Sequence, residues 1–234
     1  MIVLAYHMIT DIIRNELSVT TDNFIKQMEW LKSKHYEFTN LDNIMLSLSS
    51  NKKNKQVGII FDDGYTNTVV DVLPILQRLG VVASMAVSAG FVMRRVKTEI
   101  IPHSNKELAS CKQIDMWLEA GMQICGHTYS HARLDKIPDN KRQWQIVYDK
   151  RQLERLFGIQ VINFVYPYGK WNKQCVEIVK KNYMAAFATD NGFYPSLENR
   201  YFIKRLEILP QWDIKQFEIE MEREYKNENC NVLA

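Results

Sequence analysis

Short apolar runs rich in β-branched residues alternate with amphipathic stretches along the whole chain, and no other feature restricts the fold as strongly. The opening "MIVLAYH" reads as a buried strand, and "FIKQMEWLKSKH" as a helix with Phe24, Met28 and Leu31 on one face. Further strands are predicted at "VGIIF", "VVASMAVS", "MQICG", "VINFVY", "AAFAT" and "YFIKRLEIL". Helices are predicted between them. "TVVDVLPILQRLG" is helical in pattern, interrupted by Pro74 and ended by Gly80. "SCKQIDMWLEAG" carries a capping box, Ser110 with Gln113, and a terminal Gly121. A long helix runs from about Asp139 to Phe157 and stops at Gly158; "NKQCVEIVKKN" is the next, and the last spans about Asp213 to Tyr225. Strand and helix in regular alternation predict an α/β fold, with parallel strands and helices packed outside as an open sheet or a barrel. The chain has 234 residues, 46% of them hydrophobic and 24% charged, enough for one domain over 1–234 to bury a full core.

Charge and cysteine usage remove several function classes. The formal net charge is only +3, and the one basic run, "NKKNK" at 51–55, sits between apolar segments as a solvated loop, so neither nucleic acid nor a membrane surface is an expected partner. Cys111, Cys125, Cys175 and Cys230 are far apart with no Cys-x-x-Cys pair, which favours free thiols over a thiolate metal site or a disulfide framework. No segment approaches the roughly 18 consecutive apolar residues of a membrane span. The N-terminal "MIVLAYHMITD" has no basic segment ahead of a long apolar one, so the chain as written is expected in the cytoplasm, or secreted or surface-attached if a leader preceded it.

In folds of this class the reactive groups gather at the carboxyl ends of strands. His7 ends the first strand, Asp62 and Asp63 follow "VGIIF", "GHTYSH" follows "MQIC", and "PYG" follows "INFVY". His127 and His131 are four residues apart, close enough to converge on one ion from a helical turn or a short loop. Imidazole with carboxylate suits zinc or a similar divalent metal. Alone, that spacing also arises by chance at surfaces, and adjacent aspartates before a glycine are common in turns. Adjacent residues at a strand end point in opposite directions, however, so one aspartate can ligate a metal while its neighbour faces a water molecule and takes its proton. His7 also has a plain reading as a core histidine beside Tyr6, and Arg205 as the ion-pair partner of Glu207 or another acid.

The motifs "FDDGY", "GHTYSH" and "YPYG", in this order and at these separations, resemble the signature of the polysaccharide deacetylases, carbohydrate esterase family 4. The resemblance runs from "LAYH" through "KRLEI" and implies a distorted β/α barrel that hydrolyses the N-acetyl group of an amino sugar and releases acetate. It implies Asp63, His127 and His131 as metal ligands, Asp62 as general base, and the backbone N–H of Tyr168 as a donor to the oxyanion. Two positions depart from the family pattern. Val165 stands where an arginine is usual, and no histidine follows His131. Both gaps resemble the circularly permuted subgroup that includes poly-N-acetylglucosamine deacetylases, in which an N-terminal Tyr-His supplies the acid. His7 then becomes the candidate general acid, and Arg205 the candidate replacement for the missing arginine.

Zinc is the expected metal, with nickel, cobalt and iron accepted by the same ligands. Trp171 and Trp212 follow strand ends, where an aromatic can stack on a sugar; Trp30, Trp117 and Trp144 lie in predicted helices as packing residues, and His35 and His103 are expected at the surface. A carbohydrate is the expected partner, and the oligomeric state is open. The competing functions are an amidase acting on a small non-sugar amide and a catalytically silent carbohydrate-binding module of the same fold.

Overall fold

A computed structural model of the chain describes residues 1–12, 15–43, 48, 55–97, 107–189 and 192–231. His103 and most of the "NKKNK" run lie outside the described residues. In chain order, β1 (Ile2–Tyr6), β2 (Met8–Ile9) and β3 (Ser18–Val19) precede α1 (Thr21–Ser33), and β4 (Glu37–Phe38) leads to β5 (Gln56–Phe61). Next come α2 (Leu73–Leu79), β6 (Ser84–Val87), α3 (Ala89–Val92), α4 (Cys111–Glu119), β7 (Gln123–Gly126) and α5 (Asp139–Phe157). The chain continues through β8 (Asn163–Val165), α6 (Lys173–Lys180), β9 (Ala185–Phe187), β10 (Leu206–Glu207) and α7 (Ile214–Asn231).

The main sheet is ordered β10-β1-β5-β6-β7-β8-β9, with β4 against β5 and every pairing parallel. Helical crossovers between parallel neighbours account for the alternation in the sequence. Ile203 pairs with Phe187 at the end of β9, and three residues later the same segment pairs with β1, so residues 203–207 bridge the open side of a curled sheet. This is a distorted β/α barrel.

Both faces of the sheet are buried, which is why the strands read as continuous apolar runs. Val3, Ile60, Ala86, Cys125, Val165, Phe187 and Ile203 form one cluster, contributed by successive strands and filling the barrel. Leu4, Val57, Ile59 and Phe61 belong to a second cluster, shared with helix residues such as Phe24, Ile114 and Phe217. The α4 capping box is present as predicted, with the Ser110 hydroxyl accepting from the Gln113 N–H and the Gln113 side chain accepting from the Ser110 N–H. Gly158 ends α5 in the left-handed conformation.

Three expectations need correction. "YFIKRLEIL" is not a continuous strand; only Leu206–Glu207 is regular, because Ile203 is spent on the β9 side of the closure and Leu206 on the β1 side. Pro74 does not interrupt a helix. It stands in the first turn of α2, where its missing N–H costs nothing, and the irregularity precedes it as a π-turn over Thr68–Val72, closed by the Leu73 N–H on the Thr68 carbonyl. Trp144 is 46% exposed on α5, stacked on Tyr148 at 5.1 Å rather than packed in the core. Trp30 and Trp117 are buried.

Candidate active site

The period-2 alternation that fills the barrel continues one step past the strand ends and there becomes polar. Ile60 is followed two residues on by Asp62, Cys125 by His127, Ile203 by Arg205, and Val3 by Ala5 and then His7. All five of these residues line one open cavity of about 250 Å³, whose floor is the barrel core. Asp63 breaks the alternation and should face away. Its φ of +68° turns it inward. Of the six non-glycine residues with positive φ among those described, four (Asp63, Thr128, His131 and Tyr168) belong to this site, so the backbone strain of the molecule is concentrated there. Gly64 completes the turn at φ +72°, and a Cβ on it would lie 2.9 Å from Val87 Cγ1, which is why glycine follows the acidic pair.

Asp62 and Asp63 meet different partners, but both face the cavity, so the expectation that adjacent residues at the strand end point in opposite directions is corrected by the positive φ of Asp63. Asp62 Oδ1 accepts from Arg205 Nη1 at 2.7 Å, and its Oδ2 lies 3.9 Å from His7 Nε2. Arg205 is buried and is also fixed by its Nε donating to the Ala188 carbonyl at 3.0 Å. It pairs with Asp62, and not with Glu207. Burial by itself would raise the Asp62 carboxyl, but the Arg205 guanidinium and the nearby histidines outweigh it and hold the group below its ordinary value, ionised at neutral pH. His7 lines the cavity and is not a core histidine.

Asp63 Oδ1 lies 3.2 Å from His131 Nε2 and 3.6 Å from His127 Nε2. The His-x-x-x-His segment is a turn, not a helix; the Thr128 hydroxyl accepts from the Ala132 N–H, and Gln145 of α5 brackets Ser130 with two bonds. His127 Nδ1 donates to the Val165 carbonyl at 2.7 Å, so its Nε2 carries a lone pair aimed at Asp63. Burial also lowers the His127 pKa, favouring the neutral ring. N–H groups offered by His127 and His131 would outweigh burial and hold Asp63 well below the ordinary carboxylate range, but with Nδ1 as the His127 donor its Nε2 offers none. An ionised oxygen and an imidazole lone pair therefore face each other in a buried space, and Asp63 Oδ1 has no hydrogen-bond partner. Like-signed lone pairs repel unless a cation lies between them. One ligand atom from each of Asp63, His127 and His131 falls within 4.8 Å of the others, so the set fits a divalent metal.

Tyr168 lies on the turn Pro167–Gly169 after β8, with φ +58° and its ring 4.6 Å from that of His131. It lines the cavity as well. Trp171 and Trp212 do not line this cavity; Trp171 stacks on Phe202 at 5.1 Å, and both are half-buried against the helix-side core. Val165, at the position of the missing arginine, is buried in the barrel and contributes only its carbonyl.

Two participants are absent from the sequence-based list. Tyr65 is buried next to Asp63 and hydrogen-bonded to it; burial first, then the two aspartates, push its phenol far above the ordinary value. Asp149 lies fully buried on α5, its Oδ2 accepting the His127 N–H at 3.0 Å and its Oδ1 the Ala89 N–H at 2.7 Å. Burial pushes its carboxyl up to about 7 against the pull of those two amides. The signal was available in the sequence. The buried face of α5 reads Arg142, Ile146, Asp149, Leu153, placing an acid inside an apolar stripe.

Comparison with known proteins identifies the family and supports the fold. A family model for polysaccharide deacetylase matches residues 49–187. Bacillus subtilis YxkH, described only by family as a polysaccharide deacetylase, is 26% identical over 211 residues, covering 89% of this chain and 71% of the relative. A Staphylococcus aureus poly-β-1,6-N-acetyl-D-glucosamine N-deacetylase is 24% identical over 214 residues, 84% of this chain and 72% of its own. Among solved structures, Streptococcus pyogenes deacetylase PplD superposes with a TM-score of 0.82 at 22% identity over 94% of this chain and 97% of that one. A polysaccharide deacetylase from Bacillus cereus gives 0.77 at 26% identity, over 94% and 68%.

Proposed function

The chain belongs to the polysaccharide deacetylase family, and from that premise we propose that residues 1–234 are one catalytic unit. It hydrolyses the N-acetyl group of an amino sugar in a glycan or glycan precursor in a metal-dependent reaction. The observation that carries this reading is the division of the acidic pair: Asp62 held ionised by Arg205, and Asp63 left with an unpartnered oxygen between two imidazoles. Asp63, His127 and His131 would hold a zinc ion, with nickel, cobalt or iron as alternatives, and the ion would supply Lewis acidity at the amide carbonyl.

The chain's own groups do the proton work. Asp62 takes a proton from the attacking water, whose oxygen forms the new bond to the carbonyl carbon. Arg205 keeps Asp62 in one orientation and one charge state. The Tyr168 N–H donates to the carbonyl oxygen as negative charge develops on it. His7, on the other side of Asp62, gives a proton to the sugar nitrogen as the carbon–nitrogen bond breaks, so acetate and a free amine leave. The substrate named for the Staphylococcus aureus relative, a β-1,6-linked N-acetylglucosamine polymer, is the first to try.

The test is metal content of the dialysed protein by elemental mass spectrometry, followed by amine release from N-acetylglucosamine oligomers. About one divalent first-row metal per chain, with amine released from the sugars, is expected. Amine released from small non-sugar amides alone would move the activity to an amidase. A chain that takes up no zinc, nickel or cobalt and releases no amine would overturn the hydrolytic reading in favour of a silent binding module.

A further inference from the structure

The three sides of the His127 residue are each fixed by a different element. Its ring Nδ1 donates to the Val165 carbonyl at the end of β8, its carbonyl accepts from the Ser88 hydroxyl just beyond β6, and its N–H is accepted by Asp149 of α5. The first two contacts come from the sheet that already carries the histidine. The third comes from a helix packed behind it, and it is the only one made by a carboxyl group.

The geometry has a physical origin. Parallel strands diverge at their carboxyl ends, and the N–H groups of Ala89, two residues past the end of β6, and His127, one past the end of β7, have no ladder partner there. One carboxylate answers both, at 2.7 and 3.0 Å, and so ties two adjacent strand ends to each other and to α5. The approach is tight. A Cβ built on Gly126 would collide with the Tyr183 hydroxyl and lie 3.3 Å from Asp149 Oδ2, so glycine before His127 is required first by Tyr183 and also leaves room for the carboxylate. Gln145, one turn earlier on α5, accepts from the Ser130 N–H and donates to the Ser130 hydroxyl, and its backbone carbonyl accepts from the Tyr129 N–H. Arg142 holds the carbonyls of Leu134 and Ile137 just beyond His131. One helix thus grips the whole "GHTYSH" segment from behind.

We propose that Asp149 is the positioning residue of the metal site, setting the direction of His127 Nε2 through the His127 backbone N–H while itself touching neither metal nor substrate. The inference rests on the reading of Asp63, His127 and His131 as a metal site. An asparagine in its place keeps the shape but offers one acceptor oxygen where two N–H groups need partners, and turns an amide donor toward the other. Groups that orient metal ligands from behind commonly govern affinity by about 10- to 100-fold.

The test is the zinc dissociation constant of the metal-free full-length chain, measured by competition with a chromophoric chelator, for wild type, Asp149→Asn and Ile146→Ala. Ile146 is buried on the same face of α5 and bonds to no site residue through its side chain, so Ile146→Ala reports what loosening the helix does by itself. Asp149→Asn is expected to bind zinc about 10- to 100-fold more weakly, with Ile146→Ala within about two-fold of wild type despite a comparable loss of melting temperature. Equal zinc affinity in Asp149→Asn and wild type would overturn the proposal, and so would an equal loss in both variants. Should Asp149→Asn fail to fold, hydrogen exchange on the metal-free wild type decides: slow exchange at the His127 and Ala89 amides is required, and rapid exchange there rejects the bond on which the inference stands. A wild-type chain that takes up no zinc removes the metal reading and this inference together; zinc binding insensitive to Asp149 removes the inference alone.

Discussion

Removing the Arg205 side chain tests the pairing with Asp62 most severely. Arg205→Met leaves a side chain of similar reach with no charge, and strands the Asp62 carboxylate in a site where 5% of that residue is exposed. Two unit charges about 4 Å apart at an effective dielectric near 20 interact by about 4 kcal/mol. Breaking a buried pair by deleting one partner costs about 3–5 kcal/mol, because the remaining charge keeps its desolvation penalty. The second bond, from Nε to the Ala188 carbonyl, goes as well, at about 1 kcal/mol. In a chain of this size each kcal/mol lowers the melting temperature by about 2–4 °C, so a fall of roughly 8–24 °C is expected in a calorimetric scan. The mechanism of the loss is checked by the double variant. If the orphaned charge is responsible, Asp62→Asn placed on top of Arg205→Met must raise stability again by a few kcal/mol, because it removes the charge that lost its partner. Arg205→Lys, which can reach one of the two oxygens but not both, should fall between. A double variant no more stable than Arg205→Met would refute the electrostatic account, and Arg205→Met with wild-type turnover would refute the positioning role.

Three further outcomes are expected. Asp62→Asn should retain metal but lose about 10²- to 10⁴-fold in turnover, the usual worth of a general base, whereas Asp63→Ala should lose metal and turnover together; elemental analysis beside amine-release rates separates them, and Asp62→Asn at full rate would refute the base assignment. His7→Ala should keep its metal and lose far more rate on an N-acetyl sugar than on an aryl acetate, whose leaving group departs without a proton; equal losses on the two would remove His7 as the acid. Burial raises the pKa of the Cys125 and Cys175 thiols, so brief iodoacetamide treatment of the folded protein near pH 8 should modify the half-buried Cys111 before either of them. Peptide mass spectrometry showing early label on Cys125 would contradict its place in the barrel core.

The sequence was most informative where one periodicity governs both structure and function. A parallel barrel needs apolar residues on the inner face of each strand, and the same alternation carried one step further puts Asp62, His127, Arg205 and His7 into the cavity. Strand-end position was therefore enough to select them. It was not enough for Trp171 and Trp212, because lying after a strand says nothing about which way a loop turns, and both turned toward the helix-side core. The closing strand was misjudged for a related reason: "YFIKRLEIL" has strand composition throughout, but its hydrogen bonds are divided between β9 and β1. Asp149 was visible as an acid in the buried stripe of α5, but its partners are two backbone amides on strands distant in sequence, and no local pattern announces a backbone partner.

The same closure explains how an active site can be assembled from the two ends of a chain. β10 lies beside β1 in register, Ala5 opposite Glu207, so residue 205 and residue 7 reach the same cavity although nearly the whole sequence separates them. In a parallel barrel every strand delivers its carboxyl end to one face, so the order in which strands occur along the chain does not limit which side chains can meet. Val165 illustrates the consequence. It lies on β8, three strands from β5 in the sheet, while Arg205 enters from the closing segment, two strands from β5 on its other side, and reaches Asp62 at 2.7 Å. A guanidinium is required where Asp62 must stay ionised in a buried site; the strand that supplies it is not fixed by the chemistry. The combination of Val165 with Arg205 is therefore a rearrangement of the same electrostatic device, and Val165→Arg in an Arg205→Met background is a poor rescue, because His127 depends on the Val165 backbone staying where it is.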